Sequence, residues 1–239
     1  MSRIFFAVPP LHYAQAMTTA QAVTIATDEA QSVSGLWQAP SGARACLVLA
    51  HGAGAGMTHK SMTALADGLA ERGVATLRYQ FPYMERGSRR PDSPAVAHAA
   101  VRAAVAEAAR RAKKLPLFAG GRSFGGRMTS QAQAKAPLPA VRGLVFFAFP
   151  LHPPGKPATE RAGHLADVSL PMLFLQGTRD EFAQLDLLRP VVAGLGERAR
   201  LELIQDADHS FHVPAKTDRK DAEVLAQILD MAAGWMADQ

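Results

Sequence analysis

The sequence lacks the features that announce a metal, a nucleotide or a membrane. A single cysteine in 239 residues leaves no internal disulfide to form. That cysteine, Cys46, stands in the apolar run 45–50, the setting of a small core residue and not of a reactive thiol. No apolar run approaches the roughly 18 residues that a membrane-spanning helix needs. There is no H-E-x-x-H, no cysteine cluster and no G-K-[ST] phosphate loop, so neither a metal nor a cofactor is expected. Charge of one sign is not concentrated either. The net charge is +5, yet the only tight cation groups are Arg86/Arg89/Arg90 and Arg110/Arg111/Lys113/Lys114. The second group closes an alanine-rich helix, where cations meet the negative end of the dipole. That scatter predicts no nucleic-acid partner and no membrane partner, and a cytoplasmic protein.

What is present is ordinary soluble composition, 48% apolar and 20% charged, in a chain long enough to fold without staples. Residues 1–21 read as a leader outside the folded domain, which is expected over 22–239. Within the leader, Met1-Ser2-Arg3, the apolar stretch 4–8 and Ala14-Gln15-Ala16 outline a short export signal, the alternative to a cytoplasmic location. Pro9-Pro10 and His12 interrupt it, which favours a flexible leader or a start at Met17.

Beyond the leader, β-rich runs alternate with helical stretches. Residues 22–38 suit an edge hairpin. Buried-strand runs follow at 46–50, 74–79, 116–119, 144–147, 172–176 and 201–204. Between them, residues 60–72 end at Gly73, a helix stop, and residues 94–114 open on Asp92-Ser93-Pro94, a cap with proline in the first turn. The last helix, about 217–236, sets Val224, Ile228, Ala232, Trp235 and Met236 on one face. The pattern predicts one α/β domain with a mainly parallel sheet and helices on both faces. Residues 81–94 and the stretch 149–157, with four prolines in nine residues, fit no regular element. Both follow predicted strands, so both belong at the carboxyl edge of the sheet, where ligands of such folds bind.

Gly121-Arg122-Ser123-Phe124-Gly125 follows one of these runs and precedes a helix. This is the strand–turn–helix setting of a nucleophile elbow, whose tight turn needs small residues two before and two after the serine. A serine hydroxyl needs a base. Of eight histidines, His209 lies after the last strand run and before the last helix, in the Ser…Asp…His order; His212 is its rival. Asp180, just past the run 172–176, is the candidate acid that fixes the imidazole, with Glu181 beside it as the rival. Asp206 and Asp208 stand where they would brace the histidine loop. His51-Gly52-Ala53-Gly54 directly follows the run 45–50, and the backbone N–H groups of Ala53 and Phe124 are the candidate oxyanion donors. His51, Arg122, His152 and Arg179 are the candidate substrate-binding side chains, although His51 also reads as a residue that structures its loop. A dinucleotide reading of Gly52–Gly56, with Arg78 as a phosphate cation, fails on Met57, where a third small residue is required.

These strings, together with Pro150-Leu151-His152-Pro153-Pro154-Gly155-Lys156-Pro157 and Gln176-Gly177-Thr178-Arg179-Asp180, resemble a family of small α/β-hydrolases over about residues 43–235. The family is related to the dienelactone hydrolases and includes a testis-expressed protein and the hydrolase-like region of a chromatin acetyltransferase-complex subunit. The resemblance implies the α/β-hydrolase fold with Ser123 as nucleophile, Asp180 as acid and His209 as base. Dienelactone hydrolases carry a cysteine at the elbow; with Ser123 in that place, dienelactone is not implied as substrate. The expected activity is hydrolysis of a small-molecule ester, thioester or amide, the alternative a catalytically weak interaction module on the same fold. Two readings stand for Arg86, Arg89, Arg90, Lys156, Arg122 and Arg179: solvated charges on a basic surface, or a ring of cations favouring an anionic substrate.

Overall fold

The computed structural model describes residues 18–27 and 31–239, so the proposed export signal and the start at Met17 lie outside the described residues. Each continuous apolar run is a strand. After the hairpin of β1 (Gln21–Ala26) and β2 (Ser32–Gln38) come β3 (Ala45–Ala50), β4 (Val74–Tyr79), β5 (Leu117–Arg122), β6 (Val141–Phe147), β7 (Met172–Gly177) and β8 (Ala199–Ile204). They form one eight-stranded sheet in the order β1-β2-β4-β3-β5-β6-β7-β8. β1 and β2 pair antiparallel, as do β2 and β4; every other pairing is parallel.

The apolar runs are continuous because both faces are covered. In β3, Cys46, Val48 and Ala50 face a cluster that includes residues of α3 (Pro94–Arg111) and α4 (Phe124–Lys135). The alternate residues Ala45, Leu47 and Leu49 face a second cluster with Met62, Leu65 and Leu69 of α1 (Lys60–Glu71). That cluster also holds Val224, Ile228, Ala232, Trp235 and Met236, the predicted stripe of the last helix, here Asp221–Ala237. Each large apolar side chain so buried contributes about 1.5–3 kcal/mol, less the entropy of ordering it. Cys46 is fully buried, and burial pushes its thiol up to about 12, so it is a packing residue.

Some local signals resolve differently, and the first irregular stretch holds a short helix, α2 (Pro82–Glu85). The cap Ser93 makes no side-chain hydrogen bond at the start of α3, and Asp92 turns instead to the Tyr83 N–H (2.7 Å) and the Arg86 guanidinium (2.5 Å). A helix at Leu185–Gly194 was not expected, since Pro190 lies inside it. The second irregular stretch leads into a 3₁₀ segment, Glu160–Asp167. Among the described residues, no helix is long and apolar enough to cross a membrane.

Candidate active site

β5 ends in a turn that holds Ser123 at φ 50°, ψ −118°, a left-handed conformation that costs a non-glycine residue on the order of 1–3 kcal/mol. The surrounding backbone enforces it. A Cβ on Gly121 would sit 2.4 Å from the Ala50 carbonyl oxygen, and one on Gly125 would sit 2.5 Å from that of His51. Strand β5 and the first turn of α4 are therefore pressed against the end of β3, and the Ser123 hydroxyl is lifted above the sheet edge.

Two further loops meet it there. In the loop after β8, Asp208 Oδ1 accepts from the Ser210 N–H (2.7 Å) and the His212 N–H (3.0 Å), closing a turn around His209. The Arg179 N–H donates to the Ala207 carbonyl (2.9 Å), fastening the loop after β7 to the same turn. The outcome is a continuous hydrogen-bonded chain. His209 Nδ1 lies 2.7 Å from Asp180 Oδ2, and His209 Nε2 lies 2.8 Å from Ser123 Oγ. Since an ionised carboxylate can only accept, Nδ1 carries the proton and Nε2 is left to accept from the serine. The Asp180 side chain is fully buried, whereas His209 keeps 17% of its side-chain surface. The other lone pairs of Asp180 are used by the Phe182 N–H (2.8 Å, to Oδ1) and the Gln176 amide (2.5 Å, to Oδ2). The Phe182 ring stacks on His209 at 4.2 Å between centroids. The rivals lie elsewhere: Glu181 is exposed, and His212 is exposed and paired with Asp221 (2.8 Å), which raises its pKa.

Residues 43–237 match the model of the alpha/beta hydrolase domain family. The chain belongs to that family. Among solved structures, a dienelactone hydrolase from Anabaena variabilis is similar over 93% of this chain and 99% of its own, with 20% identity and a TM-score of 0.75. An α/β serine hydrolase homologue from Coxiella burnetii is similar over 92% and 98%, at 19% identity and a TM-score of 0.72. An α/β serine hydrolase without a lid from Xanthomonas campestris is similar over 91% and 95%, at 21% identity and a TM-score of 0.69. At these identities the likeness speaks for the fold.

In this α/β-hydrolase the two candidate oxyanion donors share a cleft of about 370 Å³ with Ser123: Ala53 and Phe124 both line it, beside Asp92, Met128 and Phe182. Neither backbone N–H donates a hydrogen bond within the described residues. The Ala53 loop is held by the Tyr83 hydroxyl, which donates to the Ala53 carbonyl (2.8 Å).

The four candidate substrate-binding side chains have different surroundings. His51 is fully buried; its Nδ1–H donates to the Gly52 carbonyl (2.7 Å) and its Nε2 accepts from the Phe81 N–H (3.0 Å). His152 repeats the arrangement, donating to the Pro153 carbonyl (2.9 Å) and accepting from the Gln184 N–H (3.1 Å), again with no exposed surface. Both are staples between loops, with no ring nitrogen left for a ligand. Arg122 points away from the cleft, to Ser61 Oγ and Ser210 Oγ (both 3.1 Å), and lines a separate 150 Å³ cavity against α1 and the last helix. Arg179 is exposed and makes no side-chain hydrogen bond among the described residues. Arg78, the cation of the dinucleotide reading, is buried and holds the Met57 carbonyl (3.2 Å) and Thr63 Oγ1 (3.0 Å).

Of the two readings of the six cations, the ring does not form around Ser123. Arg86 is tied to Asp92, Arg89 lines an adjoining cleft of about 550 Å³ with Ala53, and Arg90 and Lys156 are exposed. The arginines that do line the Ser123 cleft are Arg127 and Arg161, which the sequence reading missed. Arg127 had a signal: four residues past the serine on a helix is the same face. Arg161 had none, since nothing local tells which surface a 3₁₀ segment covers.

Proposed function

We propose that this α/β-hydrolase is a serine hydrolase acting on an ester, thioester or amide through an acyl-enzyme. The observation that carries this is the unbroken chain from Asp180 through His209 to Ser123 Oγ, opening on a cleft that also holds two backbone donors unpaired among the described residues.

The steps follow from the geometry. Ser123 Oγ attacks the carbonyl carbon as its proton passes to His209 Nε2, and Asp180 stabilises the imidazolium without taking the proton. The carbonyl oxygen becomes an oxyanion and accepts from the N–H groups of Ala53 and Phe124. The tetrahedral intermediate collapses, His209 gives its proton to the leaving group, and Ser123 is left acylated. A water, deprotonated by His209, then attacks the acyl carbon, and release of the acid returns the proton to Ser123 Oγ.

Labelling with a fluorophosphonate probe, followed by peptide mapping, should place the adduct on Ser123. A panel of 4-nitrophenyl esters and thioesters should show turnover that Ser123→Ala lowers by about 10³-fold or more in kcat. An unlabelled Ser123, or near-native turnover by the folded variant, overturns the reading.

A further inference from the structure

Arginines on this protein are commonly spoken for: Arg72 by Asp230, Arg86 by Asp92, Arg110 and Arg111 by Glu107, and Arg200 by Glu202. Arg127 and Arg161 are not, and unlike the exposed Arg179 both are half-buried. Both line the Ser123 cleft, and neither guanidinium makes a hydrogen bond or an ion pair among the described residues. Arg127 is half-buried, its guanidinium 5.8 Å from the centre of the Phe124 ring and its Nε shut off from solvent without a partner. Its pKa is lowered by burial first and by the Arg161 charge second, so the two cations are close enough to oppose each other. Among the described residues the one carboxylate lining the cleft, Asp92, is already engaged by Arg86 and the Tyr83 N–H.

Two unneutralised guanidinium groups in a half-enclosed cleft are costly unless an anion joins them, and an oxyanion is the group their planar forks match. We propose that Arg127 and Arg161 form a subsite for a carboxylate or phosphate carried by the substrate, set apart from the scissile carbonyl. Arg127 lies one helical turn beyond Ser123, its N–H donating to the Ser123 carbonyl (3.2 Å). Both line one cleft, which suits a tail of a few bonds between carbonyl and anion. The inference names the substrate class of the site and rests on the serine hydrolase reading.

Three matched 4-nitrophenyl esters test it, with hexanoyl, carboxylate-ended and phosphate-ended acyl chains of equal length, after subtraction of the uncatalysed rate. One or both anionic esters should exceed the neutral one in kcat/KM by about tenfold or more at low salt, the margin shrinking as salt rises. Which anionic ester leads identifies the group. Arg127→Gln/Arg161→Gln should bring the anionic-to-neutral ratio close to one. Lys113→Gln/Lys114→Gln, with the same loss of net charge past the far end of α3, should retain it. Should the double variant fold poorly, Arg161→Gln alone, on the 3₁₀ segment, should lower the ratio. Equal rates on all three esters by a wild-type enzyme whose Ser123 is labelled by a neutral fluorophosphonate overturn the subsite and leave the hydrolase standing. A ratio that the arginine variants do not lower does the same. Failure of both labelling and turnover removes the two together.

Discussion

At the scale of single residues, the site depends on which hydrogen-bonding groups have been used up. Asp180 and Glu181 are neighbours, yet one is buried with its oxygens occupied by His209, Gln176 and Phe182, and the other is exposed. Asp180→Asn presents an amide to His209 Nδ1, favours the wrong tautomer, and should lower kcat by about 10⁴-fold with the fold intact. Glu181→Gln should stay within a few-fold of the parent; equal losses in steady-state assays of the two variants would mean that the acid is misassigned. The same accounting explains His51 and His152. Their positions after strands place them at the sheet edge, which any reader of the sequence would see. That each donates to the carbonyl of its own next residue, and so turns inward, depends on loop conformation that no spacing reveals. Arg122 was misread for a simpler reason: its neighbour carries the nucleophile, but it points to Ser61 and Ser210.

At the scale of elements, the elbow is a packing problem between β3, β5 and α4. Gly125→Ala would drive a Cβ to 2.5 Å from the His51 carbonyl oxygen and 2.7 Å from the Ala50 carbonyl carbon, and backbone cannot yield as a side chain can. It should destabilise the fold by about 3 kcal/mol or more and displace Ser123, whereas Gly54→Ala, with nothing within 4 Å, should change stability by less than about 0.5 kcal/mol. Paired thermal melts decide the matter, and similar melting temperatures would contradict the packing described. The strands were legible because burial on both faces leaves unbroken apolar runs: β4 begins at Val74 and ends at Tyr79 as expected. Helix Leu185–Gly194 was not, because Pro190 breaks the local signal while Leu188 and Val192 pack it onto the core. The triad candidates were legible because each lies in the turn or loop that follows a strand. The cations of the cleft were not, since they come from the side of a helix and from a segment without periodicity.

At the scale of the molecule, buried imidazoles tie stability to pH. Burial depresses His51 to about 4, and burial together with the Arg127 charge does the same to His164, against an ordinary 6.5. Between those values the unfolded chain binds protons that the folded chain refuses, so stability is complete above about 6.5 and declines as pH falls towards 4. His212 has the opposite sign but is exposed beside Asp221, where solvent screens the pair. His98 is also lowered by burial, so melting temperature should fall between pH 6.5 and 4, with up to about three protons taken up per molecule unfolded, read from calorimetry in buffers of different ionisation enthalpy. A flat profile would mean that His51 and His164 are not held neutral. The strand order has a last consequence. Ser123 hangs from β5, a central strand buried between β3 and β6, but His209 hangs from β8, the outermost strand, whose residues are mostly only half-buried. Amide exchange should run faster in β8 and the 205–212 loop than in β5, because local opening begins where a ladder has one neighbour. In mild denaturant the base would come adrift while the nucleophile stays seated, and turnover would fade ahead of the global transition.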